Sequence, residues 1–178
     1  MRGRFLSTSN ELQSVKAEIG IEGLDDILAG GLSRGHMFLL EGEPGTGKTT
    51  VALQFLMAGA HAGERTLYIT LSETERELRQ GAKSHGWDLD ENIHVFELTP
   101  PENLLDTEQH QSLLHSSDLE LGESTKQIFE EVERIKPTRV VLDSLSEIRQ
   151  QAQSSQRYRR QILAIKHNFV RYDATVLM

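Results

Sequence analysis

Gly42-Glu-Pro-Gly-Thr-Gly-Lys-Thr49 matches the pattern G-x-x-x-x-G-K-[ST], which gathers glycines, a lysine and a hydroxyl into one short loop. These residue types suit a polyphosphate. Gly45 and Gly47 let the backbone curl without Cβ clashes, so that the stretch Glu43, Pro44, Gly45, Thr46 and Gly47 wraps phosphate oxygens with its amides. A helix beginning at Lys48 adds the partial positive charge of its N-terminus. Lys48 is expected to reach the β- and γ-phosphates, Thr49 to ligate Mg²⁺ through its hydroxyl, and Thr50 to lie near the α-phosphate. The bland alternative is a glycine-rich turn that merely caps a helix. It is disfavoured because an apolar run at 37–40 precedes the loop and an apolar helical stretch follows it.

Two carboxylates are candidates to work beside this loop. Arg139-Val-Val-Leu-Asp143 is a short apolar run ending in an acid, the arrangement that holds a Mg²⁺ shell through water. Ser144-Leu-Ser-Glu147 also spells a capping box, but with a phosphate loop upstream the metal role is preferred for Asp143. Glu73 follows the apolar run Leu67-Tyr-Ile-Thr-Leu71, where it is able to orient or deprotonate an attacking water. Ser72-Glu-Thr-Glu75 is itself a capping box, and the residues alone leave Glu73 open between the two roles.

Other residues carry less. The histidines, at 36, 61, 85, 94, 110, 115 and 167, show no paired metal spacing, and no zinc site is expected. Trp87 reads as a core aromatic in preference to a base-stacking one. Glu130, Glu131 and Glu133 form a solvated helix face, with Lys126 four residues before Glu130. The basic stretch Arg157, Arg159 and Arg160 reads as a solvated helix start, the other use being an arginine offered to a neighbouring subunit's phosphates.

The elements that must position these groups alternate. Apolar strands are expected at 37–40, 66–71, 93–98, 139–142 and 175–178, and helices at 24–28, 48–62, 74–84, 123–136 and 158–171. Repeated strand and helix means an α/β fold with a mostly parallel sheet covered by helices on both faces. The helix after the loop is apolar nearly all round (Val51, Ala52, Leu53, Phe55, Leu56, Met57) and is expected at the centre, whereas 123–136 buries one stripe, Ile128, Val132 and Ile135. Residues 99–122 make a long connection, with a short helix expected at 103–114. Residues 1–18 read as a polar arm or linker, and 19–178 as one domain.

With 178 residues, 37% apolar and 26% charged, and no apolar run long enough to span a bilayer, the composition is that of a soluble globular chain. There is no cysteine and no signal-peptide pattern, so a cytoplasmic setting without disulfides is expected. A formal net charge of −8 counts against a broad nucleic-acid-binding face. Ala174-Thr-Val-Leu-Met178 resembles the start of a buried strand with nothing after it, which suggests a piece of a longer protein.

Gly23-Leu-Asp-Asp-Ile-Leu-Ala-Gly-Gly-Leu32, then Arg34-Gly35, then the phosphate loop, resembles the opening of the KaiC-like ATPases of the RecA superfamily. Leu71-Ser-Glu-Thr74, Gly86-Trp-Asp88 and Leu142-Asp-Ser144 extend the likeness over most of 19–178. The resemblance implies a RecA-type sheet with the Glu73 strand beside the Asp143 strand, and the last strand between that one and the phosphate-loop strand. It makes Glu73 the preferred catalytic base, with Lys48 as its catalytic partner on the phosphates, and adenine the preferred base. Clock members of the family carry two adjacent glutamates here, whereas Ser72 precedes Glu73 in this chain. The family's core continues with strands on the far side of the phosphate-loop strand, which implies a C-terminally shortened domain here.

The implied function is an ATPase or ATP-dependent switch that forms a ring, often hexameric, and signals through a protein partner. Serine/threonine autophosphorylation is an alternative, as is nucleotide binding without turnover. A RecA- or RadA-like recombination motor is a further one, opposed by the acidic balance and the absence of cysteine.

Overall fold

The structure, a computed structural model, describes residues 16–89, 91–98, 113–152 and 154–178, the stretch 113–121 through its backbone alone. Most of the expected arm, and the expected helix at 103–114 except its last two residues, lie outside these.

The described chain enters through β1 (Lys16–Ala17), α1 (Glu22–Ile27) and β2 (Leu32–Ser33). β1 and β2 pair antiparallel, Ala17 opposite Leu32, and Ala17 is fully buried, so the last residues of the expected arm belong to the folded body. The carboxylate of Asp25 accepts hydrogen bonds from the N–H groups of Ile19, Gly20 and Ile21 at 2.7, 2.9 and 3.2 Å, fixing the turn between strand and helix. Gly31, at φ +108°, passes so close to β1 that a Cβ there would stand 2.3 Å from the Ala17 carbonyl oxygen.

Next come β3 (Met37–Phe38), α2 (Lys48–His61), β4 (Thr66–Thr70), α3 (Glu75–Ser84), β5 (Ile93–Glu97), α4 (Leu113–Ile135), β6 (Arg139–Asp143), α5 (Leu145–Gln151), α6 (Ser155–Arg171) and β7 (Thr175–Leu177). The five longer-range strands form one sheet in the order β3-β7-β6-β4-β5, every pair parallel. This is the α/β sheet read from the sequence. Its order is the one the resemblance implies, with β7 between the phosphate-loop strand and the Asp143 strand.

All five residues of β4, and the first four of β6, are buried, as a strand covered on both faces requires. Side chains alternate between the faces. Leu67, Ile69, Val140, Leu142 and Val176 pack with Ile128, Val132, Ile148, Ile165 and Phe169 from α4, α5 and α6. Tyr68, Val141 and Leu177 pack on the other face with Ala52, Phe55 and Leu56 of α2 and with Leu78 and Ala82 of α3. Parity therefore puts Tyr68, Val141 and Asp143 on the face that α2 covers.

Arg139 opens β6 with a charge, yet only 2% of it is exposed. Its guanidinium donates to Glu64 Oε1 from two nitrogens at 3.1 and 2.8 Å, to the Phe55 carbonyl at 3.0 Å and to the Glu18 carbonyl, and it lies 5.0 Å over the Phe55 ring. Arg34 grips the same carboxylate with a fork of two 2.9 Å bonds, and the Thr138 hydroxyl donates to it at 2.8 Å. Burial alone would push the Glu64 carboxyl up, but the bonds from Arg34 and Arg139 hold it down at about 2. The network ties β1, α2, β4 and β6 together at the sheet end away from the phosphate loop.

The short strands β1 and β2 were not among the expected elements, and two helices also depart from the sequence reading. α4 begins at Leu113, ten residues before the expected 123, because Ser116, Ser117 and Gly122 dilute the helix signal there. α5 is a short helix that buries only Ile148 and was not expected. Trp87 is half-buried against the core, 4.9 Å from the His85 ring, in agreement with its reading as a packing residue. Lys126 and Glu130 form an exposed pair at 3.7 Å.

Candidate functional site

Beyond β3 the chain turns through the glycine-rich loop into α2. Gly45 and Gly47 both take left-handed backbone conformations, φ +80° and +88°, so the conformational freedom argued from the sequence is used. Gly47 is the N-cap of α2 and has no side chain to offer; no acidic residue occupies the first turn. The donors of that turn are thus left to a group outside the helix. The N-terminus of α3 contrasts with it, for Thr74 Oγ1 accepts from the Glu77 N–H at 3.3 Å while Glu77 Oε2 accepts from the Thr74 N–H at 2.8 Å.

That capping box also bears on Glu73. The box runs from Thr74 to Glu77 and not from Ser72 to Glu75, so the competing role weighed for Glu73 falls to its neighbours. The Glu73 backbone is tied to β4, its carbonyl accepting from the Thr70 hydroxyl at 2.7 Å and its N–H donating to the same oxygen at 2.9 Å. Likewise Ser144, the N-cap of α5, makes no side-chain cap to the backbone; its hydroxyl donates to the Glu147 carboxylate instead.

The register of the sheet brings the carboxylates together. Thr70 stands opposite Asp143, so Glu73, just beyond the end of β4, lies near the end of β6. Desolvation first, and then the negative charges of Asp143 and Glu77, raise the Glu73 carboxyl above the usual glutamate range. The Lys48 ammonium donates to the Gly42 and Glu43 carbonyls at 2.7 and 2.9 Å. A cavity of about 320 Å³ beside the loop is bordered by Gly42, Lys48, Ala52, Asp143 and Ser144. Glu43, Pro44 and Thr46 are exposed along the loop, where Thr46 Oγ1 donates to the Glu43 carbonyl at 2.8 Å; Thr49 and Thr50 are half-buried in the first turn of α2.

One residue here was not singled out from the sequence. The Tyr68 hydroxyl donates to Asp143 Oδ2 at 2.6 Å. Burial, then Asp143, raises the phenol well above the usual tyrosine range. The available signal was parity: Tyr68 has the alternation phase of Thr70, which pairs with Asp143.

Donor chemistry can be tested against a cation. Thr49 and Asp143 offer hard oxygen atoms, one hydroxyl and one carboxylate, the carboxylate held by Tyr68. Mg²⁺ favours such oxygen ligands and takes few of them from protein, the rest coming from water and phosphate. The residues therefore fit that ion. Among the described residues no group of three or more His, Cys, Asp or Glu is arranged to hold a metal, and no helix is long and apolar enough to cross a membrane.

A family model described as "ATPase: KaiC" matches residues 17–178. Among curated relatives, the circadian clock oscillator protein KaiC of Parathermosynechococcus lividus is 32% identical over 171 residues, covering 95% of this chain and 31% of that protein. KaiC of Prochlorococcus marinus subsp. pastoris is 29% identical over 184 residues, 100% of this chain and 35% of the relative. KaiC of Synechococcus elongatus is 29% identical over 174 residues, 97% and 33%. The chain thus spans about a third of the length of these relatives. A parallel five-stranded sheet, a glycine-rich loop at the end of β3 and a family match over nearly all its residues place this chain in the KaiC ATPase family.

Proposed function

We propose that this chain binds MgATP at the N-terminus of α2 and hydrolyses its γ-phosphate. The observation that carries the reading is the N-terminus of α2: a glycine N-cap, no acidic residue in the first turn and Lys48 at the loop, set beside Asp143. Glu43, Pro44, Gly45, Thr46 and Gly47 wrap the phosphates, and Lys48 leaves its loop carbonyls to meet the β- and γ-phosphates. Thr50 lies near the α-phosphate.

Thr49 and, through water, Asp143 hold Mg²⁺, which neutralises charge on the terminal phosphates when bound. Glu73 orients a water and takes its proton. The water oxygen forms a bond to the γ-phosphorus, the bond to the β,γ-bridging oxygen breaks, and ADP leaves with that electron pair. The raised Glu73 carboxyl is a stronger base than an ordinary glutamate, which favours this transfer.

The relatives are named as circadian clock oscillator proteins. By analogy the ATPase acts as a switch read by a protein partner, within a ring of copies in the cytoplasm. The charge of −8 is consistent with a protein partner in preference to nucleic acid.

Calorimetric titration with MgATP tests the reading through Lys48→Ala. Losing the ammonium removes a charge-assisted contact to phosphate, and affinity is expected to fall by about 100-fold. Unchanged affinity would overturn the proposal.

A further inference from the structure

We infer that Tyr68 is a positioning residue for the Mg²⁺-facing carboxylate, setting the orientation of Asp143; this rests on the reading of Asp143 as a metal partner. Tyr68 is fully buried in the middle of β4, on the sheet face that α2 covers. Its hydroxyl donates to Asp143 Oδ2 at 2.6 Å.

The chemistry of a carboxylate that faces a cation makes this placement consequential. Tyr68 directs its proton to Asp143, so one buried phenol sets the rotamer of the carboxylate. The bond occupies Oδ2 of Asp143 and leaves Oδ1 for the water shell of the ion. Hydrogen-bond partners of this kind, one step behind the ligands, tune metal affinity through orientation. The packing of the ring alone would not require the oxygen, since phenylalanine fills nearly the same volume.

The test uses the full chain and three variants: Tyr68→Phe, Asp143→Asn and the two combined. Mn²⁺, a paramagnetic stand-in for Mg²⁺, is titrated into the ADP complex and followed by electron paramagnetic resonance. ADP affinity is measured in parallel in EDTA, and the fold by circular dichroism. Tyr68→Phe is expected to weaken Mn²⁺ binding by about 10-fold with metal-free ADP affinity unchanged. The double variant should be no weaker than Asp143→Asn, because the two residues act through one bond.

Mn²⁺ affinity unchanged in Tyr68→Phe, with Asp143→Asn weakened, would overturn the role of Tyr68 and leave the metal reading standing. If Asp143→Asn also binds Mn²⁺ as the wild type does, the metal reading of Asp143 fails and the role of Tyr68 fails with it.

Discussion

Glu73 has no capping duty, because Thr74 and Glu77 close the α3 box without it. What remains is a carboxylate beside Asp143 whose proton affinity is raised by desolvation and by neighbouring negative charge. Glu73→Gln keeps the size and polarity of the side chain but removes the base. Hydrolysis is expected to fall by at least about 100-fold with MgATP affinity unchanged, as single-turnover and equilibrium binding measurements would show. Retained turnover would move the base elsewhere.

Elements are joined here by close approach as much as by apolar area. Gly59 lies inside α2, where alanine would ordinarily be favoured by about 1 kcal/mol. A Cβ at this position would stand 2.5 Å from Arg139 Cδ and 2.7 Å from Arg139 Nε, atoms held by Glu64 and by the Phe55 carbonyl. Arg139 cannot swing aside without losing those bonds. Gly59→Ala is therefore expected to destabilise the fold by about 2 kcal/mol in urea denaturation, the steric term outweighing the propensity gain. An unchanged or raised midpoint would show that the helix and β6 can separate freely.

For the whole molecule, the Glu64 network joins β1, α2 and the central strands far from the phosphate loop. The Glu64 carboxyl is held at about 2 in the folded protein, against 4.5 as its ordinary value. A depressed carboxylate contributes stability above its unfolded pKa, and this contribution fades as pH falls from about 4.5 towards 2. Glu64→Gln is expected to cost about 3 kcal/mol at neutral pH, because it strips a buried arginine of its counter-charge. The difference between wild type and variant in denaturation midpoint should then narrow steadily below about pH 4.5. A difference that stays constant with pH would mean that the carboxylate charge contributes nothing.

The loop from Gly42 to Thr49 and the parallel α/β class were legible in the sequence, because they depend on local chemistry. Glycine at left-handed positions, a lysine and a hydroxyl at fixed spacing, and alternating apolar periods all act within a few residues. The family likeness added the strand order. What the residues alone left open at Glu73 depended on which of two overlapping capping boxes forms, and the structure has the one between Thr74 and Glu77.

Tyr68 and Arg139 were beyond local reading for a related reason. Each looks like an ordinary member of an apolar strand until the register of β4 and β6 sets one beneath Asp143 and the other against Glu64. The sequence by itself determined a phosphate-binding loop on an alternating α/β chain. Only the tertiary structure decided which distant polar groups share a buried face, because register and parity across parallel strands arise from pairing and not from neighbours along the chain.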